Sequence, residues 1–133
     1  MKTELIVHEG IHVKKSVLHG WGVFTNSKIK KGDIVEECIV PYDIIPMTTS
    51  ALINYRFIWP TVPFKLAEEN GLDIEFSGYC LPLGFGSIYN HSKDPNIDWD
   101  IDISERIVQF VAIKDIEVDE ELLFDYKSPL ITE

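Results

Sequence analysis

Three short segments carry the residues with chemistry to offer. Gly20-Trp21-Gly22 sets two glycines around an indole. Residues without a Cβ let a backbone approach a ligand closely or take a positive φ, which other residues resist. An ordinary tight turn makes the same demand, so this triplet alone decides nothing. The second segment, Gly84-Phe85-Gly86-Ser87-Ile88-Tyr89-Asn90-His91-Ser92-Lys93-Asp94-Pro95-Asn96, puts an amide beside an imidazole. Asn90 and His91 offer side-chain and backbone hydrogen-bonding groups that could hold a ligand, and Pro95-Asn96 fixes a turn behind them. Asn90 and Asn96 would serve equally well as caps for buried backbone groups. The third segment, Glu121-Leu122-Leu123-Phe124-Asp125-Tyr126, ends on a phenol.

Other chemistries fail on spacing. Cys38 and Cys80 are the only cysteines and form no C-x-x-C pair, so neither a zinc cluster nor a redox motif can be built from them. His91 lacks partners for a metal, and adjacent Ser92 and His91 rarely meet in the geometry of a nucleophile and its base. Asp98, Asp100 and Asp102 resemble the start of a calcium loop, but Ile103 replaces the required glycine and Gln109 the closing glutamate. No glycine-rich phosphate loop with a following lysine is present, which argues against a nucleotide hydrolase. Asn90-His91-Ser92 fits the glycosylation acceptor pattern, a match without consequence for a chain expected to stay out of the secretory route.

The elements that must position these segments are short. Glycines and prolines punctuate brief apolar runs, the rhythm of a mostly-β protein. Strands are expected at Ile11 to Lys14, Gly22 to Thr25, Ile34 to Ile39, Ile97 to Ile103, Ile107 to Ala112 and Glu121 to Phe124, most of them rich in Val and Ile. Strict alternation puts Trp99, Ile101 and Ile103 on one face and Asp98, Asp100 and Asp102 on the other. Residues 41–82 depart from the pattern, with Pro46, Pro60 and Pro63 and helical pieces expected around Ser50 to Trp59 and Phe64 to Asn70. They read as an irregular or helical insert in a β scaffold, a place for a specificity surface or for a plain cover over the core.

Composition bounds the answer. One domain is expected over residues 1–133, because that length suits a single core. With 45% hydrophobic and 26% charged residues the chain is an ordinary globular sequence. A formal charge of −10 with only 12 Lys and Arg argues against direct nucleic-acid binding and suits a basic partner. The N-terminus lacks the apolar run of a signal peptide and no stretch is long enough to cross a bilayer, so neither secretion nor a membrane is expected. Two unpaired cysteines fit an intracellular, reducing home, cytoplasmic by default.

Taken together and in this order, the G-x-G turn, the N-H-S-x-x-P-N segment and the E-L-x-x-D-Y segment resemble those of SET-domain protein-lysine N-methyltransferases. The resemblance runs from about Val13 to Tyr126. It is strongest to the minimal stand-alone SET domains of viruses and bacteria, which lack cysteine-rich zinc regions; Lys93 stands where zinc-bearing relatives have a cysteine. It implies a β-clip fold of several short curved sheets with a pseudoknot-like threading of the C-terminal segment beneath a preceding loop. Within it, residues 12–40 form the N-terminal SET part, 41–82 the insert, 83–126 the C-terminal SET part and 127–133 a short tail.

The resemblance also implies roles. S-adenosyl-L-methionine is the expected cofactor, bound by Gly20, Trp21, Gly22, Asn90 and His91. Tyr126 is the expected catalytic tyrosine, with Tyr55 beside it. Phe124, Tyr89 and Tyr55 are expected along the lysine channel, although Tyr89 could equally pack beneath the motif. A phenylalanine at position 124 tends, in relatives, to leave room for more than one methyl group. The substrate is expected to be a basic protein or peptide segment, such as a histone tail, with a nuclear location in that case. Larger relatives complete the site with a post-SET segment, so a homodimer partner or the insert is expected to close it here. The alternative is a catalytically silent SET-like module for peptide binding or scaffolding.

Overall fold

The computed structural model describes residues 3–18, 20–40, 42–43, 57–73 and 75–125. Ten strands and one helix follow in the order β1 (Ile11–Lys15), β2 (Trp21–Thr25), β3 (Ile34–Ile39), β4 (Tyr42–Asp43), β5 (Phe57–Pro60), α1 (Phe64–Glu69), β6 (Phe76–Cys80), β7 (Asn90–His91), β8 (Ile97–Asp102), β9 (Ile107–Ala112) and β10 (Glu121–Phe124). They form three small sheets, β1-β2-β10-β7, β3-β9-β8 and β4-β6-β5. The six strands expected from the apolar runs all form, within a residue or so at their ends.

The first sheet starts as a hairpin, with Val13 opposite Val23 and Lys15 opposite Trp21. Its connection closes when the Ser16 amide donates to the Gly20 carbonyl at 2.8 Å, and Gly20 takes a φ of +48° to do so. β10 then pairs antiparallel with β2 and parallel with β7. Asn96 locks it in place: its side-chain oxygen accepts from the Leu123 amide and its side-chain nitrogen donates to the Glu121 carbonyl, each at 2.8 Å. The C-terminal strand is therefore held from both sides, by β2 and by the 90–96 segment, which is how the expected threading is realised.

The second sheet shows the alternation along β8 plainly. Ile97, Trp99 and Ile101 are buried while Asp98 is exposed. Ile103, expected on the inner face, instead leaves the strand, because Asp102 accepts hydrogen bonds from Ser104 and the Glu105 amide and turns the chain there. The N-terminal segment covers the free edge of β3, through His8 N–H to the Val35 carbonyl and Glu37 N–H to the Ile6 carbonyl. An edge covered in this way offers no template for unwanted pairing.

The insert carries helix α1 where expected and adds strands β4, β5 and β6. Pro63, whose ring presets φ, precedes the helix. The carboxylate of Asp100 on β8 accepts from the Phe64 and Lys65 amides at 2.9 and 3.2 Å, doing the work of an N-cap from another element. The helical expectation for Ser50 to Trp59 fails at its C-terminal end. Phe57, Ile58 and Trp59 are all buried in a strand with water on neither face, so no alternation marks them. Residues 50–56 lie outside the described residues. The core gathers Phe57, Trp99, Phe110 and Phe124 with Val35, Ile97, Ile116 and Leu122.

Candidate functional site

The three motif segments meet around one side chain. Asn90, at the start of β7, donates from its side-chain nitrogen to the Trp21 carbonyl at 3.1 Å and to Glu121 Oε2 at 2.8 Å. The other oxygen of Glu121 accepts from the Ser16 hydroxyl at 2.7 Å. One carboxylate thus bridges the ends of the β1-β2 hairpin and the Asn90 segment. A Cβ at Gly22 would run into the Glu121 carboxylate, which the Ser16 and Asn90 hydrogen bonds hold in place.

Around this centre the expected cofactor residues are placed as follows. Gly20, at positive φ, has nothing within 4 Å of where a Cβ would lie, so open space adjoins the turn. Trp21 follows it with 57% of its surface exposed. His91 pairs with Phe124 across the β7-β10 ladder, and its Nδ1 lies 3.7 Å from Asp125 Oδ1. An open turn, an exposed aromatic ring and an adjoining polar segment are features a cofactor with both apolar and hydrogen-bonding parts could use.

The aromatic side of the site lies behind β10. Phe124 is 2% exposed and stacks on Phe57 with centroids 5.6 Å apart; Phe57 in turn meets Trp99 edge-on at 4.7 Å. Trp99 is 97% buried and also packs edge-on against Phe64. Its Nε1 has no hydrogen-bond partner among the described residues. Tyr89 is buried against Phe110, with its hydroxyl donating to Glu36 Oε1 at 2.7 Å. Tyr126 and Tyr55 lie outside the described residues.

A cavity of about 880 Å³ opens elsewhere, between α1 and the β3-β9-β8 sheet, touching Phe64, Asp98 and Trp99 but none of the three motifs. Partial burial pushes the Asp98 carboxyl up from its usual range, and the nearby charges of Asp100, Asp125 and Glu68 push the same way. The cavity's size does not make it the reaction site, since none of its lining residues belongs to the three motif segments. Among the described residues no group of three His, Cys, Asp or Glu side chains could hold a metal ion.

Three residues here were not singled out from the sequence. Glu121 stands out in the sequence only as part of its motif, and alternation places Trp99 in the core, a correct placement that conceals the missing partner of its N–H among the described residues. Glu36 gave no signal at all, since Glu36-Glu37 in a Val- and Ile-rich strand looks like a solvated pair, whereas both are buried.

The SET domain family model matches residues 20–127. A histone-lysine N-methyltransferase, H3 lysine-4 specific, from Aspergillus oryzae is 30% identical over 123 residues, which are 88% of this chain and 9% of that protein. The protein of the same name from Emericella nidulans is 29% identical, covering 88% of this chain and 10% of that one. The chain thus spans about a tenth of the length of these curated relatives. Among solved structures, a candidate histone methyltransferase from Plasmodium falciparum superposes with a TM-score of 0.66 at 28% identity, covering 90% of this chain and 95% of that one. A humanized mutant of the Chaetomium thermophilum Polycomb Repressive Complex 2 shares the fold, with a TM-score of 0.65 at 23% identity over 92% of this chain and 15% of that one. A family match over residues 20–127, on a chain whose Asn90 ties the glycine turn to the C-terminal motif, means that this protein belongs to the SET-domain family.

Proposed function

We propose that this chain is a protein-lysine N-methyltransferase that takes its methyl group from S-adenosylmethionine and acts on a basic protein segment, a histone tail being the first candidate. The observation that carries the reading is the Asn90 side chain bridging Trp21 and Glu121, which brings the three motifs to one place. The names of the curated relatives support it, and so does the net charge of −10, which favours a basic partner.

In this reading Gly20, Trp21, Gly22, Asn90 and His91 hold the cofactor, for which the open space beside Gly20 leaves room. The cofactor supplies an electrophilic methyl on a sulfonium. What the chain must supply is a neutral amine, because a free lysine has a pKa near ~10.4 and is almost wholly ammonium at neutral pH. An apolar aromatic wall disfavours the charged form by desolvation. Phe124 and Phe57, with Trp99 behind them, are the described residues suited to that wall. Tyr126 is assigned to orient the amine through its hydroxyl, and Tyr55 to line the channel beside it. The remaining work is positioning, which converts an encounter into a near-unimolecular step. Phe124 at the methyl-accepting end favours more than one transfer. A nuclear location follows if the substrate is a histone, and a second copy of the chain is the proposed closure over the exposed apolar tip formed by Val17, Leu18 and Trp21.

Mass spectrometry of basic and histone-tail peptides incubated with the protein and S-adenosylmethionine tests the reading, with Tyr126→Phe in parallel. Gain of whole methyl units on one lysine, lost in the variant, is the expected result. Failure of the protein to bind S-adenosylmethionine at all would instead leave a silent peptide-binding module.

A further inference from the structure

Glu36 stands in β3, 3% exposed, in a strand otherwise rich in Val, Ile and Cys. A carboxylate is among the most expensive groups to take out of water and is kept buried only where it is fully hydrogen-bonded. Glu36 meets that condition by reaching the segment before Asn90. Its Oε2 accepts from the Phe85 amide at 2.8 Å, and its Oε1 accepts from the Tyr89 hydroxyl at 2.7 Å. Gly84, at a φ of +85°, lets the backbone lie directly on the carboxylate, where a Cβ would collide with Oε2.

That segment is held by turns and by the packing of Phe85, Ile88 and Tyr89 on the core rather than by a sheet ladder. Residues 81–89 form turns and no strand. Their ties include Leu83 N–H to the Ile39 carbonyl, Ile88 N–H to the Phe85 carbonyl and the Ser87 hydroxyl to the Pro82 carbonyl. Both Glu36 contacts fall at critical points, one at the glycine turn and one at Tyr89, immediately before the residue that joins the three motifs.

We propose that Glu36 is a positioning residue for the cofactor site, a buried clamp whose two hydrogen bonds to Phe85 and Tyr89 fix the 84–91 segment and so the placement of Asn90 and His91. This rests on the assignment of Asn90 and His91 to the cofactor. Burial and the neighbouring Glu36 charge hold the Tyr89 hydroxyl well above its ordinary range, so it stays protonated and remains the donor. Without the clamp the segment samples other positions, and the cofactor must select the competent one from among them.

Two variants separate positioning from plain stability. Tyr89→Phe removes one of the two bonds with almost no change of shape, and Glu36→Gln keeps the shape while removing the charge. The first readout is hydrogen exchange in the 84–91 segment of the cofactor-free protein, and the second is S-adenosylmethionine affinity by calorimetry, with KM and kcat for methylation. Both variants should exchange faster in that segment while β1 and β2 keep their protection. Cofactor affinity should weaken on the order of tenfold, with KM for the cofactor rising more than kcat falls. The double variant should weaken binding by less than the product of the two single effects, because both act on the one Glu36–Tyr89 contact.

Unchanged exchange in Tyr89→Phe would overturn the clamp. Faster exchange with unaltered cofactor affinity would overturn its positioning role and leave Glu36 a structural residue. If Glu36→Gln does not fold, Tyr89→Phe alone decides between these results. Absence of cofactor binding by the unaltered protein would overturn the proposal through the site assignment, and is told apart by the exchange data, which do not involve the cofactor.

Discussion

The side-chain nitrogen of Asn90 lies 2.8 Å from Glu121 Oε2, although the two residues are 31 positions apart in sequence. A half-buried carboxylate has few ways to satisfy its lone pairs, and here one oxygen is served by Asn90 and the other by Ser16. The contact therefore does structural and positional work together.

Replacing Asn90 with Ala removes the donor to Glu121 and to the Trp21 carbonyl. Hydrogen bonds to a charged group are worth about 1.5–3 kcal/mol, and the carboxylate left behind adds to the loss. Urea denaturation should show destabilisation of about 2–3 kcal/mol, and calorimetry should show S-adenosylmethionine binding abolished. Destabilisation under about 0.5 kcal/mol would mean that water replaces the amide without cost.

Gly22→Ala is expected to destabilise by about 1–3 kcal/mol, since the added methyl runs into the Glu121 carboxylate and a packed site resists extra atoms. Combining it with Glu121→Ser should recover part of that loss. Additive effects in thermal denaturation would show that the collision is not the cause.

The stability of the protein should carry the signature of Glu36. Burial raises its carboxyl above the ordinary 4.5, so the folded chain holds this proton more tightly than the unfolded chain does. Below about pH 4.5 both forms are protonated and the group costs nothing; as pH rises from there through the raised folded value, ionisation removes stability. The groups facing it, Tyr89 and Cys38, are themselves pushed up by burial and by the Glu36 charge, and stay neutral in that window. Glu36→Gln lacks this titration, so its stability relative to the unaltered protein should improve as pH climbs from about 4.5 towards neutrality. A relative stability that is flat or falls over that range, by urea denaturation at each pH, would contradict the assignment.

The orphaned Nε1 of Trp99 makes a different test. An unpaired buried donor costs about 1–3 kcal/mol, and Trp99→Phe removes that cost while giving up part of a packed ring. The two effects oppose each other, and a net change within about 1 kcal/mol is expected. A loss above about 3 kcal/mol would show that the indole N–H has a partner in solution, such as a bound water.

Much of this arrangement is legible in the sequence. The β-branched runs located six strands, and the alternation in β8 oriented Trp99 and Ile101 inward. Phe57 to Pro60 was missed because a strand buried on both faces has no period, and Asn90-His91 because two residues are too few to carry one. The motif residues themselves were apparent, but their meeting was not: Asn90 reaches Glu121 only because β10 runs between β2 and β7, a long-range pairing that no local pattern announces. Glu36 was illegible for the opposite reason, since its burial depends on a partner, Tyr89, 53 positions away.

The strand that completes the site is also the last strand of the chain described here. Since β10 sits between β2 and β7, the hairpin made from residues 11–25 has no neighbour along β2 until residue 121 and beyond has left the ribosome. Until β10 emerges, the nascent chain therefore carries an exposed sheet edge on β2. A nascent chain stalled before β10 should therefore be recognised by chaperones as unfinished.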